Sequence, residues 1–127
     1  MKDELVENGI KNASIKVLQN PIDKETIEQK LSEGTNPYPN DGKKHIVASG
    51  RFAYQKGFDL LVDAFKIVTQ QRKDVELYII GNKEGSCQNE YNRVFQKIKD
   101  YKLENNVHCI GFQSNPYIYV KYADTFV

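Results

Sequence analysis

From Lys44 onward, the apolar positions of the chain switch repeatedly between two periods. Ile46, Val47 and Ala48 form a short continuous apolar run ending at Ser49, the signature of a strand buried on both faces. Phe58, Leu61, Val62, Phe65 and Val68 then recur at three- and four-residue spacing, which predicts a helix with one apolar face. The alternation continues. Val75 to Ile80 reads as a second strand ended by Gly81, and Tyr91, Val94, Phe95 and Ile98 mark a second amphipathic helix. Val107 to Ile110 is a third strand ended by Gly111, a short helix falls around Tyr117 to Tyr122, and Thr125-Phe126-Val127 is a last strand. Strand and helix in this order predict a Rossmann-like three-layer α/β/α domain, a parallel sheet covered on both faces. Right-handed crossovers would bring Gly50, Gly81 and Gly111 to one rim, where open α/β sheets bind ligands.

Upstream of Lys44 the pattern is weaker. Residues 2–9 read as the end of a helix closed by Gly9, and Ile15 to Leu18 as a short strand. Asn20-Pro21-Ile22-Asp23 signals a turn, after which Asp23 can cap a short helix through about Leu31. Residues 32–44, with Gly34, Pro37, Pro39 and Gly42, read as a surface loop with little apolar surface to bury.

Composition narrows the classes of function. At 127 residues the chain supports one modest core, and its 18 basic and 17 acidic residues nearly cancel. A broad surface for nucleic acid or anionic lipid is therefore not expected, and any anion site must be local. Cys87 and Cys109 make no C-x-x-C unit or disulfide framework, which fits a reducing cytosol. No apolar segment approaches the ~20 residues of a membrane span, and the polar N-terminus lacks a secretory h-region. The Asn12-Ala13-Ser14 sequon and the Lys2-Asp3-Glu4-Leu5 tetrapeptide carry no weight in this context.

One local anion site stands out. Ser49-Gly50-Arg51 follows the first strand, and Lys56-Gly57 opens the first long helix. Two cations five residues apart would then meet the free N–H groups and positive dipole end of that helix, an arrangement suited to a diphosphate. Arg51 would offer a planar fork to two phosphate oxygens, and Lys56 a point charge to the distal phosphate. A dinucleotide cofactor needs G-x-G-x-x-G in this turn, which Ser49-Gly50-Arg51-Phe52-Ala53-Tyr54 does not supply, and no Walker A motif occurs. His45 and His108 lack the carboxylate or cysteine neighbours of a metal set, each lies beside or within an expected strand, and both read as structural. Cys109 reads as a small core residue and Cys87 as a helix start. Tyr117, Tyr119, Tyr122 and Phe126 could stack on a base, but packing is their commoner use.

Read together, five segments resemble family 4 glycosyltransferases. They are Asn20-Pro21-Ile22-Asp23; Gly50-Arg51-Phe52-x-x-Gln55-Lys56-Gly57-Phe58-Asp59-Leu60-Leu61-Val62-x-Ala64-Phe65; Ile79-Ile80-Gly81; Val107-x-x-Ile110-Gly111-Phe112; and Ala123-Asp124-x-Phe126-Val127. The resemblance spans residues ~15 to 127 and implies the C-terminal, donor-binding half of a GT-B fold. It divides the chain into a hinge or interdomain lead-in, residues 1–18, and an incomplete nucleotide-sugar donor domain, residues 19–127. It gives Gly50, Arg51 and Lys56 the diphosphate of a nucleotide sugar, most commonly UDP-linked in the family, and puts Phe112 and Gln113 near the nucleobase.

The resemblance further implies a retaining glycosyltransferase acting on a glycan or lipid-linked acceptor, with a lean toward bacterial surface polysaccharide synthesis. Neither cofactor nor metal is expected, since Arg and Lys would replace the cation. Family members continue past Ala-Asp-x-Phe-Val into a serine and an E-x7-E motif that contacts sugar and ribose. Here the sequence stops at Val127, so no catalytic residue is assigned within it. Glu25 to Glu33 and Glu76 to Glu84 share the spacing by coincidence. The expectation is a fragment that binds weakly, does not turn over and leaves an uncovered sheet edge. Its parent would be cytoplasmic, peripheral at the inner membrane face through its other half. Rival readings are a noncatalytic nucleotide-binding or interaction module and a UDP-sugar epimerase of GT-B fold.

Overall fold

The computed structural model describes residues 2–10, 16 and 21–127. Four parallel strands, β1 (Lys44–Ser49), β2 (Val75–Ile80), β3 (Val107–Gly111) and β4 (Thr125–Phe126), form one sheet in the order β3-β2-β1-β4. Five α-helices accompany them: α1 (Lys2–Glu7), α2 (Lys24–Ser32), α3 (Phe58–Gln71), α4 (Gln88–Asp100) and α5 (Tyr117–Tyr122). The expected α/β architecture is therefore present. The strand expected at Ile15 to Leu18, and with it most of the expected hinge segment, lies outside the described residues.

Strand alternation divides the core into two clusters. Ala48, Val75, Leu77, Ile79 and Val107 face Val62 and Phe65 of α3 and Val94 and Ile98 of α4. Each of the Val, Leu, Ile and Phe side chains among these contributes about 1.5–3 kcal/mol by leaving water. Polar latches between the helices reinforce this layer: Lys97 Nζ lies 2.8 Å from Asp63, the Tyr101 hydroxyl donates to Asp63 at 2.8 Å, and Arg93 reaches Asp59 at 3.1 Å. On the other face, Val47, Tyr78 and Ile80 pack with Tyr38, supported by Ile110, Tyr119 and Ala123.

Tyr38 corrects one expectation. Residues 32–44 are not merely a surface loop, because the Tyr38 ring is 6% exposed and its hydroxyl donates to the Tyr119 carbonyl at 2.8 Å. A single aromatic anchor is enough to make an otherwise polar segment part of a core, and no periodicity announces it. The same layer holds α2, whose Asp23 cap accepts from the Thr26 N–H at 3.0 Å as expected. No side chain of α2 is buried. Its position comes from α5, where Asn115 and Lys121 donate to the carbonyls of Lys30 and Leu31, satisfying acceptors left over at the helix end. Contact there is close, since a Cβ on Gly34 would stand 2.3 Å from Ile118 Cγ2.

Candidate functional site

The strand ends converge as the topology requires. The Gly50 N–H donates to the Ile80 carbonyl at 2.9 Å, and the Gly81 N–H to the Gly111 carbonyl at 3.0 Å. The closest approach is at Gly81, where a Cβ would fall 2.1 Å from the Gly50 carbonyl oxygen. Only glycine fits there. Beside it, the β2–β3 ladder skips a residue, with Ile79 opposite Cys109 and Ile80 opposite Gly111. That irregularity, with Gly111 at φ 75°, turns the chain so that Phe112 and Gln113 border the rim.

The result is an open cleft of about 390 Å³ lined by Ser49, Gly50, Arg51, Ile80, Gly81 and Asn82, and closed at one side by Phe112, Gln113 and Pro116. Four of the five expected site residues, Gly50, Arg51, Phe112 and Gln113, thus come together. The loop holding Arg51 is anchored from beneath by Phe52, 1% exposed, which meets Phe58 and Tyr91 edge-on at 5.0 Å from each. Arg51 is left in solvent. Of the three arginines, Arg72 is tied to Asp74 and Arg93 to Glu90 and Asp59, while Arg51 has neither ion-pair nor hydrogen-bond partner among the described residues.

Lys56 stands slightly apart. It ends the short 3-10 turn Tyr54–Lys56 and does not line the cleft, but its Cδ and Cε lie 3.5 and 3.6 Å from where a Gly50 Cβ would be. Its stem therefore runs along the Gly50 backbone, and it too has no ion-pair partner among the described residues. Gly57, at φ 63°, passes the chain into α3 with no side-chain cap. The first turn of α3 keeps its dipole end uncapped, but it is outside the cleft lining. A second hollow of about 400 Å³ lies on the far side of Arg51, between Tyr54 and Gln55 and residues Ser86 to Glu90.

Phe112 is 76% exposed and presents an apolar ring to the cleft. Gln113 is tethered instead: its amide donates to the Ile110 carbonyl at 3.0 Å and accepts from the Tyr119 hydroxyl at 3.4 Å. Four lining residues, Ser49, Ile80, Asn82 and Pro116, were not among the candidates the sequence pattern marked. Asn82 had a signal, since it directly follows a strand-ending glycine, and its side chain accepts from the Glu84 N–H at 3.0 Å. Cys109 is half-buried against the core, with burial pushing its thiol up to about 11, and Cys87 is buried where α4 starts. Neither has the character of a nucleophile.

The histidines are where the sequence misled. Each has a carboxylate nearby after all: His45 Nε2 lies 3.8 Å from Asp41, and His108 Nε2 3.2 Å from Glu76. Glu76 sits directly opposite His45 in the β1–β2 ladder, and His108 opposite Tyr78. Register brings Glu76 beside both histidines across more than thirty residues of sequence, whereas Asp41 lies only four residues before His45. Both nonetheless lie on the sheet face away from α3 and α4, toward the strand starts rather than at the cleft.

A parallel sheet with helices on its faces and glycine-lined strand-end loops over a cleft defines a Rossmann-like α/β domain. Residues 32–127 match the family described as glycosyl transferases group 1, and the chain belongs to that family. It is 35% identical over 78 residues to an uncharacterized glycosyltransferase of Methanocaldococcus jannaschii, covering 61% of this chain and 18% of that protein. It is 32% identical over 125 residues to the N-acetylgalactosamine-N,N'-diacetylbacillosaminyl-diphospho-undecaprenol 4-alpha-N-acetylgalactosaminyltransferase of Campylobacter jejuni, covering 98% of this chain and 31% of that protein. A glycosyltransferase from Rickettsia africae has the same fold, with a TM-score of 0.63 at 23% identity over 83% of this chain and 26% of that one. The chain thus spans less than a third of the length of these relatives.

Proposed function

We propose that the cleft is the donor site of a retaining glycosyltransferase and that this chain is the donor-binding half of a GT-B enzyme. The observation carrying this reading is Arg51, an arginine without a carboxylate partner at the glycine-lined rim of a parallel sheet. A guanidinium left unpaired in such a place is matched to a diphosphate, which it can grip with two parallel hydrogen bonds. Lys56, reaching along Gly50, adds a second charge for the distal phosphate. As the glycosidic bond breaks, negative charge grows on the departing nucleoside diphosphate, and these two cations stabilise it without a dication. Phe112 supplies an apolar wall for the base, and the loop backbone at Gly111 to Gln113 its polar contacts.

UDP is the proposed nucleotide and a glycan or lipid-linked acceptor the proposed partner, the acceptor held by the other half of the GT-B enzyme. The undecaprenol-linked acceptor named for the Campylobacter relative supports a role in bacterial surface glycan assembly at the inner membrane face. Titrating the chain with UDP, GDP and ADP by amide NMR tests the reading. Saturable shifts at Gly50, Gly81 and Phe112 that Arg51→Ala removes are expected with UDP. Binding that ignores Arg51→Ala would favour a different nucleotide-binding module, and no binding even in a longer chain that includes an E-x7-E segment would overturn the donor-site reading.

A further inference from the structure

The start of the sheet holds a second constellation, independent of the donor cleft. Asp41, His45 and Glu76 each present a ligand atom, and the three atoms lie within 4.8 Å of one another. His45 is fixed as a ligand should be. Its ring stacks on Tyr38 at 4.4 Å with the planes 6° apart, while Tyr78 closes on it edge-on at 5.8 Å. The histidine is 7% exposed, yet its Nε2 has no hydrogen-bond partner among the described residues. A buried nitrogen without a partner leaves its loss of hydration uncompensated.

Glu76 is prepared in a complementary way. Its Oε2 accepts from the Tyr78 hydroxyl at 2.9 Å and lies 3.2 Å from His108 Nε2, which orients the carboxylate and leaves Oε1 out of both contacts. Lys43 now fills this space, its ammonium bonded to Glu76 Oε1 and 3.5 Å from Asp41. An ammonium neutralises the carboxylates but leaves the His45 nitrogen unpaired. A dication would do both.

The geometry points to a transition-metal site formed by His45 Nε2, an Asp41 oxygen and Glu76 Oε1, with Lys43 as the cation that holds the place when metal is scarce. One nitrogen and two carboxylate oxygens form a donor set that zinc accepts, with water at a fourth position. Tetrahedral ligands on ~2.1 Å bonds stand about 3.4 Å apart, so the triangle must tighten by up to about 1.4 Å. Asp41 can move that far, since it sits on a loop with its side chain 31% exposed. Lys43, 37% exposed, can swing into water. His108 and Tyr78 supply the outer hydrogen bonds that tune a metal carboxylate. The bound ion would staple the Tyr38 loop to β1 and β2, acting structurally at the opposite end of the strands from the donor cleft.

Titration of the full 127-residue chain with Zn²⁺ alone, by calorimetry and thermal melting, tests this site, with the visible spectrum of Co²⁺ as a geometric probe. One equivalent is expected to bind and to raise the melting temperature, with tetrahedral Co²⁺ bands. Lys43→Ala should tighten binding by about tenfold, and His45→Gln and Asp41→Asn should each weaken it by about tenfold or more. Asp41 is on the surface, so its variant remains informative if His45→Gln fails to fold. Absence of saturable binding in both the wild type and Lys43→Ala would overturn the site. Binding that survives Asp41→Asn with Lys43→Ala at full strength would overturn it too, placing the ion elsewhere. UDP affinity, unchanged by these three substitutions, separates this test from that of the donor cleft.

Discussion

Where β1, β2 and β3 end, Arg51 stands in solvent beside converging glycines without an ion-pair partner among the described residues. Where β1 and β2 begin, Lys43, Tyr78 and His108 all converge on one buried carboxylate, Glu76. Both ends carry charge, but only the second compensates it internally. For Glu76, burial alone would push the carboxyl up, yet hydrogen bonds from Lys43 and Tyr78 and the nearby His108 outweigh it and hold the pKa below its ordinary value. The contrast separates a buried carboxylate whose charge the fold itself neutralises from an arginine for which the described residues supply no counterion, the observation behind the donor-site proposal. A cation at a glycine-lined cleft is a stronger indication of binding than a large number of charges, because most surface charges are simply solvated and carry no geometry for a ligand.

The most damaging way to break the comparison is Gly81→Ala. The new Cβ would overlap the Gly50 carbonyl, and backbone cannot yield as a side-chain tip does. A loss of about 2–4 kcal/mol in urea unfolding is expected, with the cleft spread and UDP affinity gone. Arg51→Ala should do the reverse, leaving the unfolding midpoint nearly unchanged while weakening UDP about 10- to 100-fold by calorimetry. If stability fell and affinity held, Arg51 would belong to the scaffold.

Glu76→Gln sharpens the other end. It removes the partner charge of Lys43 and His108 and should cost about 1–2 kcal/mol in urea unfolding, with UDP binding at Gly50 and Phe112 intact. The smallest effect concerns the latch between α3 and α4. Hydrogen bonds from Lys97 and then Tyr101 hold the Asp63 carboxyl below its ordinary value. A depressed carboxylate contributes stability that is present above its unfolded pKa of ~3.9 and lost as pH falls through the lower folded value. Asp63→Asn should therefore slightly lower the melting temperature at neutral pH and flatten its decline below about pH 4.

Much of this molecule was legible in advance for specific reasons. The period-2 and period-3.6 segments from Ile46 to Val107 mapped onto strands and helices because each buries a continuous apolar face, and Asp23 and Gly9 marked helix ends through local backbone chemistry. Arg51 was legible because a strand-end glycine followed by a cation is a local pattern. Less visible was the role of Tyr38, one aromatic in a polar stretch, or the tethering of Gln113 by Tyr119. Least visible was Glu76, which lies within the Val75 to Ile80 run and is the hub of the polar network on that face.

The sequence by itself determined which segments are strands and helices, that the strands run parallel and that their glycine ends form a rim, since each of these follows from side-chain periodicity and chain connectivity. Only the tertiary structure decided which charges remain available. Pairing depends on distance through space, and strand register alone brings Glu76 beside His45 and Tyr78 beside His108 while leaving Arg51 with no counterion among the described residues.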